Sequence, residues 1–162
     1  IDCPRVRILS GPLLDNLFKI FFTPSWRNEP VIPTLKAWHD LVRNKDASAL
    51  NDLIAEDAVF YSPVMHTPQA GKKLVIGYLT AAAQVFLNDS FHYLRELIGT
   101  NEAMLEFKVV IDAIEVNGID HIQWNDDNQI VSFKVWLRPL KGIQIIQQKM
   151  AAQAGSSSPV LD

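Results

Sequence analysis

At 162 residues the chain has the length of about one domain, and folding at that size buries roughly 68–70% of the surface an unfolded chain exposes. A hydrophobic fraction of 48% against 20% charged residues supports a globular core with room for a cavity, while a formal net charge of -3 and the lack of a basic stripe with interleaved aromatics exclude a nucleic-acid partner reached through electrostatics. Cys3 is the single cysteine, so no disulfide forms within the chain and nothing demands an oxidising compartment; the expectation is a cytoplasmic protein.

Residues 1–33 read as an N-terminal extension. Cys3-Pro4, Gly11-Pro12, Thr23-Pro24, Glu29-Pro30 and Ile32-Pro33 punctuate one apolar run, Leu13 to Phe22. The run is too short to span a bilayer and no small-residue cleavage site follows it, so neither a membrane span nor a signal peptide is expected. Two readings stand for it: a short amphipathic helix that packs on the domain or on a partner, and an extension without a role. The folded unit is expected over residues 34–152, and Ala154-Gly155-Ser156-Ser157-Ser158-Pro159 gives residues 153–162 the composition of a flexible tail.

Within the unit, Thr34 is placed to cap a first helix in which Leu35, Trp38, Leu41 and Val42 recur at helical spacing up to Arg43. Asp46 is expected to cap a short second helix holding Leu50, Leu53 and Ile54, and Ala58 to Ser62 has strand character that ends at Pro63. Gly71 opens a third helix, Lys72 to about Leu87, with Val75, Tyr78, Leu79, Ala82 and Phe86 as its apolar stripe. Four strand-like runs follow: Phe91 to Ile98, Ala103 to Asp112, Ile114 to Asn125 and Gln129 to Arg138. Hairpin turns are expected at residues 99–102 and 126–128, Asn117-Gly118 reads as a further turn or a bulge, and Ile143 to Met150 suits a closing C-terminal helix. Helices followed by an antiparallel meander predict an α+β fold, with about three helices on one face of a curved antiparallel sheet.

The stretch from Gly118 to Trp136 is the most telling. It reads as two long strands joined by a polar turn, and alternation puts Asp120 on the same face as Ile122 and Trp124. A carboxylate withdrawn from water there has to be paired, hydrogen-bonded or neutralised by a raised pKa, and such positions are often functional. The competing reading is a buried carboxylate satisfied by a tyrosine, a histidine or water, with no chemistry attached. Tyr78 on the third helix, Ser62, and His66 in the loop before Gly71 are the candidate helpers, His66 as a gate or proton carrier. Plain core packing for Tyr78 and plain loop exposure for His66 stand beside those roles. His39 and His92 are assigned to solvent or to the seam between helices and sheet. Four histidines without paired spacing make no metal site, Ser62 has no histidine at a spacing that marks a nucleophilic triad, and glycine-rich phosphate loops are absent. No metal and no cofactor are therefore expected.

The order of elements, together with Leu53 to Pro63, the helix start at Gly71 and Gly118 to Leu137, resembles the nuclear-transport-factor-2-like superfamily. This is the cone-shaped α+β barrel shared by ketosteroid isomerases, limonene epoxide hydrolases and SnoaL-like polyketide cyclases. The resemblance covers residues 34 to about 150 and implies a pocket inside the cone. It also implies that Asp120 stands where ketosteroid isomerases carry the protonated aspartic acid of the oxyanion hole. Ser62 stands where they carry the carboxylate that moves the proton, and Trp38 where they carry the oxyanion-hole tyrosine. Serine is no general base at neutral pH without help and an indole N–H only donates, so steroid isomerisation by those residues is not expected. Nor do Asp112, Arg138 and Asp120 reproduce the Asp-Arg-Asp relay of limonene-type hydrolysis.

On the same pattern, Leu105, Phe107, Val109 and Ile111 point into the cone with Asp120, Ile122, Trp124, Phe133, Val135 and Leu137, and Trp38, Phe60 and Phe86 complete the expected ligand-binding wall. Glu106, Lys108, His121, Gln123, Lys134 and Trp136 lie outside, with Glu106 or Asp112 pairing Lys108 or Lys134 across strands. An outward Trp136 beside Val110 and Ile98, flanked by Lys134 and His121, predicts a homodimer through the outer sheet face. Two functions follow for the cone. One is an acid-base enzyme of isomerase, cyclase, dehydratase or hydrolase type that acts on a small hydrophobic molecule through Asp120. The other is a non-catalytic carrier or sensor that encloses such a ligand. A third reading is an interaction module that uses the outer sheet face for a different partner.

Overall fold

The computed structural model describes residues 6–7 and 31–156; the apolar run Leu13 to Phe22 and residues 157–162 of the expected tail lie outside them, while residues 153–156, also expected in that tail, continue the last helix. Pro33 opens α1 (Pro33–Asn44), where its preset φ suits the first turn and its missing N–H has no helical partner to lose. Leu35, Trp38 and Leu41 then share a face and are buried. Thr34 is not the cap expected of it. The cap position is Ile32, two residues earlier, and the Thr34 hydroxyl, fully buried, donates to the Asn128 carbonyl at 2.9 Å, tying α1 to a turn of the sheet. Asp46 accepts from the Ser48 N–H at 2.9 Å and caps a 3-10 turn, Ala47–Ala49, that runs into α2 (Leu50–Leu53). Ile54, expected inside that helix, is the first residue of a strand, as suits a β-branched side chain flanked by the buried Leu53 and Ala55.

That strand forms part of a sheet wrapped around the helices. β1 (Val6–Arg7) pairs with β4 (His92–Ile98), and β4, β5 (Glu102–Ile111), β6 (Ile114–Trp124) and β7 (Ile130–Arg138) form the expected antiparallel meander. β2 (Ile54–Tyr61) joins β7 as the one parallel pair among the described residues, so the sheet is mixed and not antiparallel throughout as expected, and β3 (Gln69–Ala70) folds back on β2. Among the described residues the order is β1-β4-β5-β6-β7-β2-β3. Gly71, at φ 100, turns the chain into α3 (Lys72–Phe86); a side chain at that dihedral would be strained. α3 buries Val75 and Leu79, and α4 (Leu140–Ser156) closes the unit by burying Ile146 against Phe107, Val109, Ile111 and Val116.

Asn117-Gly118 is neither a turn nor a bulge. β5 and β6 stay in register from Glu102 opposite Gln123 to Ile111 opposite Ile114, and the chain reverses at Asp112-Ala113, at φ 47 and 63. Glycine is needed at 118 for another reason: a Cβ there would lie 2.3 Å from Phe107 Cζ and 2.7 Å from Leu137 Cδ2. The inner face is otherwise as alternation predicts, with Leu105, Phe107, Val109, Ile111, Ile122, Trp124 and Phe133 buried and Val135 and Leu137 half-buried. The outer-face ion pairs differ from expectation. Glu106 pairs with Arg95, Lys108 with Glu115, and Asp112 with Lys149. The register explains Lys134: its lateral neighbours are His121 and Tyr61, not a carboxylate, and its Nζ lies 4.6 Å from the Tyr61 ring centroid.

Candidate functional site

Asp120 lies on the concave face of β6. Its lateral neighbours are Leu105 on β5 and Val135 on β7, and Gly118 and Ile122 precede and follow it on the same face. These neighbours have no polar side-chain atoms, and only 7% of Asp120 is exposed. Its Oδ2 accepts from the Tyr93 hydroxyl at 3.1 Å, and the Tyr93 oxygen accepts from the Trp38 indole N–H at 2.8 Å. The second carboxyl oxygen makes no hydrogen bond to the described residues. Burial pushes the Asp120 pKa up to about 7, and the bond from Tyr93 restrains the rise. Burial, and then the charge of Asp120, hold Tyr93 well above the usual tyrosine range. Tyr93 is thus the donor across the neutral range, and Asp120 is the group that titrates.

Tyr93 is the site residue that sequence reasoning misses, and the backbone shows why. β4 carries an irregularity between Tyr93 and Arg95, so that Tyr93 lies opposite Phe107 and Glu96 opposite Leu105. Two inward residues three apart break the alternation that marks a strand face. The available signal was Phe91, two residues earlier and part of the same aromatic cluster, its ring 5.2 Å from that of Tyr93. Glu96 in turn meets His39 Nε2 at 3.1 Å, and the His39 ring stands edge-on to Tyr93 at 5.4 Å, which places His39 at the helix–sheet seam.

A cavity of about 60 Å³ adjoins Asp120. On that measure one water needs about 10–15 Å³, so roughly four to six water-sized groups fit. Trp38, Phe60, Phe86, Phe107, Phe133 and Val135 line it with Asp120 and Tyr93, joined by Leu41, Leu87 and Phe91. The remaining wall candidates lie elsewhere in the apolar interior: Leu105, Ile122 and Trp124 in the main core, Val109 and Leu137 in the smaller cluster under α4. Tyr78 stacks on Phe60 at 5.6 Å and directs its hydroxyl to Met65 Sδ at 3.9 Å. Ser62 Oγ accepts from the Val64 N–H at 3.2 Å, and His66 is exposed on its loop. The structure therefore brings Asp120 together with Trp38 and an aromatic wall, while Ser62, His66 and Tyr78 lie outside the cavity lining.

Such a site can hold or move one proton. A neutral carboxyl in apolar surroundings donates to a ligand oxygen, and the same group ionised accepts a proton or a hydrogen bond. Among the described residues no cluster of three or more His, Cys, Asp or Glu could hold a metal ion, and no helix is long and apolar enough to cross a membrane. On the convex face the His121 ring stacks on Trp136 at 5.8 Å and His121 Nε2 lies 2.9 Å from Glu102.

No protein-family model matches the chain, and no curated protein does. Solved structures do. A steroid delta-isomerase from Pseudomonas aeruginosa is 38% identical, with 76% of this chain and 90% of that one covered at a TM-score of 0.73. A bacterial protein with a cystatin-like fold from Silicibacter pomeroyi is 28% identical, with 78% and 89% covered at a TM-score of 0.72. A nuclear-transport-factor-2-like protein from Mesorhizobium loti, 20% identical with 65% and 88% covered at a TM-score of 0.57, shares the fold.

Proposed function

The chain belongs to the nuclear-transport-factor-2-like superfamily, and from that premise we propose that it binds a small hydrophobic molecule in the cavity beside Asp120 and performs acid-base chemistry on it, of isomerase, cyclase, dehydratase or hydrolase type. One observation carries this reading: a carboxyl with a pKa near 7 borders an aromatic cavity and keeps one oxygen free of protein partners. An ordinary buried carboxylate spends both oxygens on hydrogen bonds. An acid of this pKa is poised to give or take a proton at neutral pH.

Steroid isomerisation, the reaction in the name of the Pseudomonas aeruginosa protein, is not the one we assign. It needs a second group to carry the proton between carbons. Here the cavity wall holds Asp120 and Tyr93 as its titratable groups, and Tyr93 is committed to Asp120. That same economy favours the second reading, a carrier or sensor in which Asp120 only orients the ligand. Turnover separates the two. A panel of small cyclic ketones, enones and epoxides is incubated with the protein and with Asp120→Asn; product that disappears in the variant supports the enzyme, and binding without turnover supports the carrier. Failure of every compound to bind would refute both.

We further propose a homodimer through the convex sheet face. The described helices bury their apolar residues in the two cores with the inward strand residues, and the convex face leaves Leu97, Met104, Val110 and Trp136 between 37% and 43% exposed. Trp136, Lys134 and His121 would lie within that interface.

A further inference from the structure

The hydrogen bonds at the site run in one direction. An indole N–H can donate and cannot accept, so Trp38 imposes the acceptor role on the Tyr93 oxygen at 2.8 Å. The single Tyr93 proton is then left for Asp120 Oδ2 at 3.1 Å. An oxygen that already accepts from Tyr93 is the poorer place for the carboxyl proton, which therefore resides on Oδ1. That oxygen makes no bond to the described residues, and Asp120 borders the cavity.

We infer that Trp38 is a positioning residue: through Tyr93 it fixes which oxygen of Asp120 carries the proton, and so makes the pocket select a ligand that presents an acceptor oxygen, such as a carbonyl or an epoxide. The inference rests on the reading of the cavity as a ligand site. It assigns Trp38 a task that its aromatic packing, with the Phe133 ring centroid at 4.8 Å, does not perform. Other charged groups near the chain are Glu96, whose charge bears on Tyr93, and His39, which meets Glu96 at 3.1 Å. By register Glu96 lies opposite Leu105, which separates it from Asp120 in the same lateral row. Ionisation of Asp120 turns Oδ1 from donor to acceptor, so affinity for an acceptor ligand falls as the pH rises past the titration.

The test follows the Asp120 carboxyl carbon by ¹³C NMR in the ligand-free protein. Trp38→Phe deletes the N–H, weakens donation by Tyr93 and should raise the Asp120 midpoint by about 0.2–0.6 pH units. Tyr93→Phe should raise it further, since it removes the bond that restrains the rise. In the unaltered protein the Trp38 indole proton should titrate with the same midpoint as Asp120, a readout that needs no variant to fold. Cyclobutanone, small enough for the cavity beside Asp120, serves as the acceptor probe. Its affinity should fall about thirty-fold between about pH 5.5 and about pH 8.5, and fall less in Trp38→Phe, whose raised midpoint keeps Oδ1 protonated to a higher pH. A flat indole resonance, or a Trp38→Phe midpoint equal to that of the parent while Tyr93→Phe shifts, overturns the role of Trp38. A ketone that leaves the Asp120 resonance of the parent untouched overturns the ligand site instead, and the titrations still decide the direction of the chain.

Discussion

Replacing Asp120 by Asn tests the electrostatic core of the site, because Asn keeps the shape and the acceptor for Tyr93 but cannot ionise. In the unfolded chain Asp120 titrates at about 3.8, and in the folded protein at about 7. Below the lower value the carboxyl is neutral in both states and does not disfavour folding. As the pH rises toward 7 the unfolded chain loses its proton while the folded one keeps it, so native stability falls. A separation of about three pH units at 1.36 kcal/mol per unit amounts to about 4 kcal/mol once the pH exceeds 7. The carboxylates whose pKa values are lowered, Asp40, Asp46 and Glu102, act in the opposite sense but are common to both proteins and cancel in the difference. Urea titrations of the parent and of Asp120→Asn from about pH 4 to pH 8.5 should therefore diverge, the variant gaining up to about 4 kcal/mol, or roughly 8–16 °C in Tm. Curves that stay parallel over that range would mean that the carboxyl is solvated, and the proposed site would fall with it.

Gly118→Ala should cost about 1–3 kcal/mol by driving a methyl group into Phe107 and Leu137; thermal melts read the cost, and a displaced Phe107 should also reduce ketone binding. Thr34→Val should cost about 1 kcal/mol for the lost bond to the Asn128 carbonyl. Hydrogen exchange should then quicken in the turn at residues 125–129 and not at the first turn of α1, since Thr34 is not the helix cap. Trp136→Glu should halve the mass measured by light scattering if the convex face pairs two copies, and leave Asp120 titrating as before; an unchanged dimer mass would place the contact elsewhere.

The fold was largely legible because its long elements obey their own periods. β5 and β6 alternate without interruption, and α1 and α3 carry apolar residues at helical spacing. What escaped was tertiary. Gly118 has the local signature of a turn, Asn-Gly, but its reason for being glycine is a phenylalanine ring from the next strand. Thr34 has the signature of a cap, yet bonds to a carbonyl 94 residues away. At the site, Asp120 stood out because a charge in an apolar stripe is conspicuous. Tyr93 did not, because the irregular pairing of β4 hides which face it occupies, and a hydrogen-bond partner on a non-adjacent strand leaves no spacing to read.

The irregularity in β4 bears on more than the placement of one tyrosine. β4 lies next to the margin of the sheet, where the described part of β1 covers only Glu96 and Leu97. The stretch beyond it is kinked between Tyr93 and Arg95, and the opposite margin is the two-residue β3. A foreign strand needs a straight, evenly spaced row of amides and carbonyls to zip onto, and neither rim supplies one. Growth of the sheet by strand addition is thereby discouraged at both of its described margins.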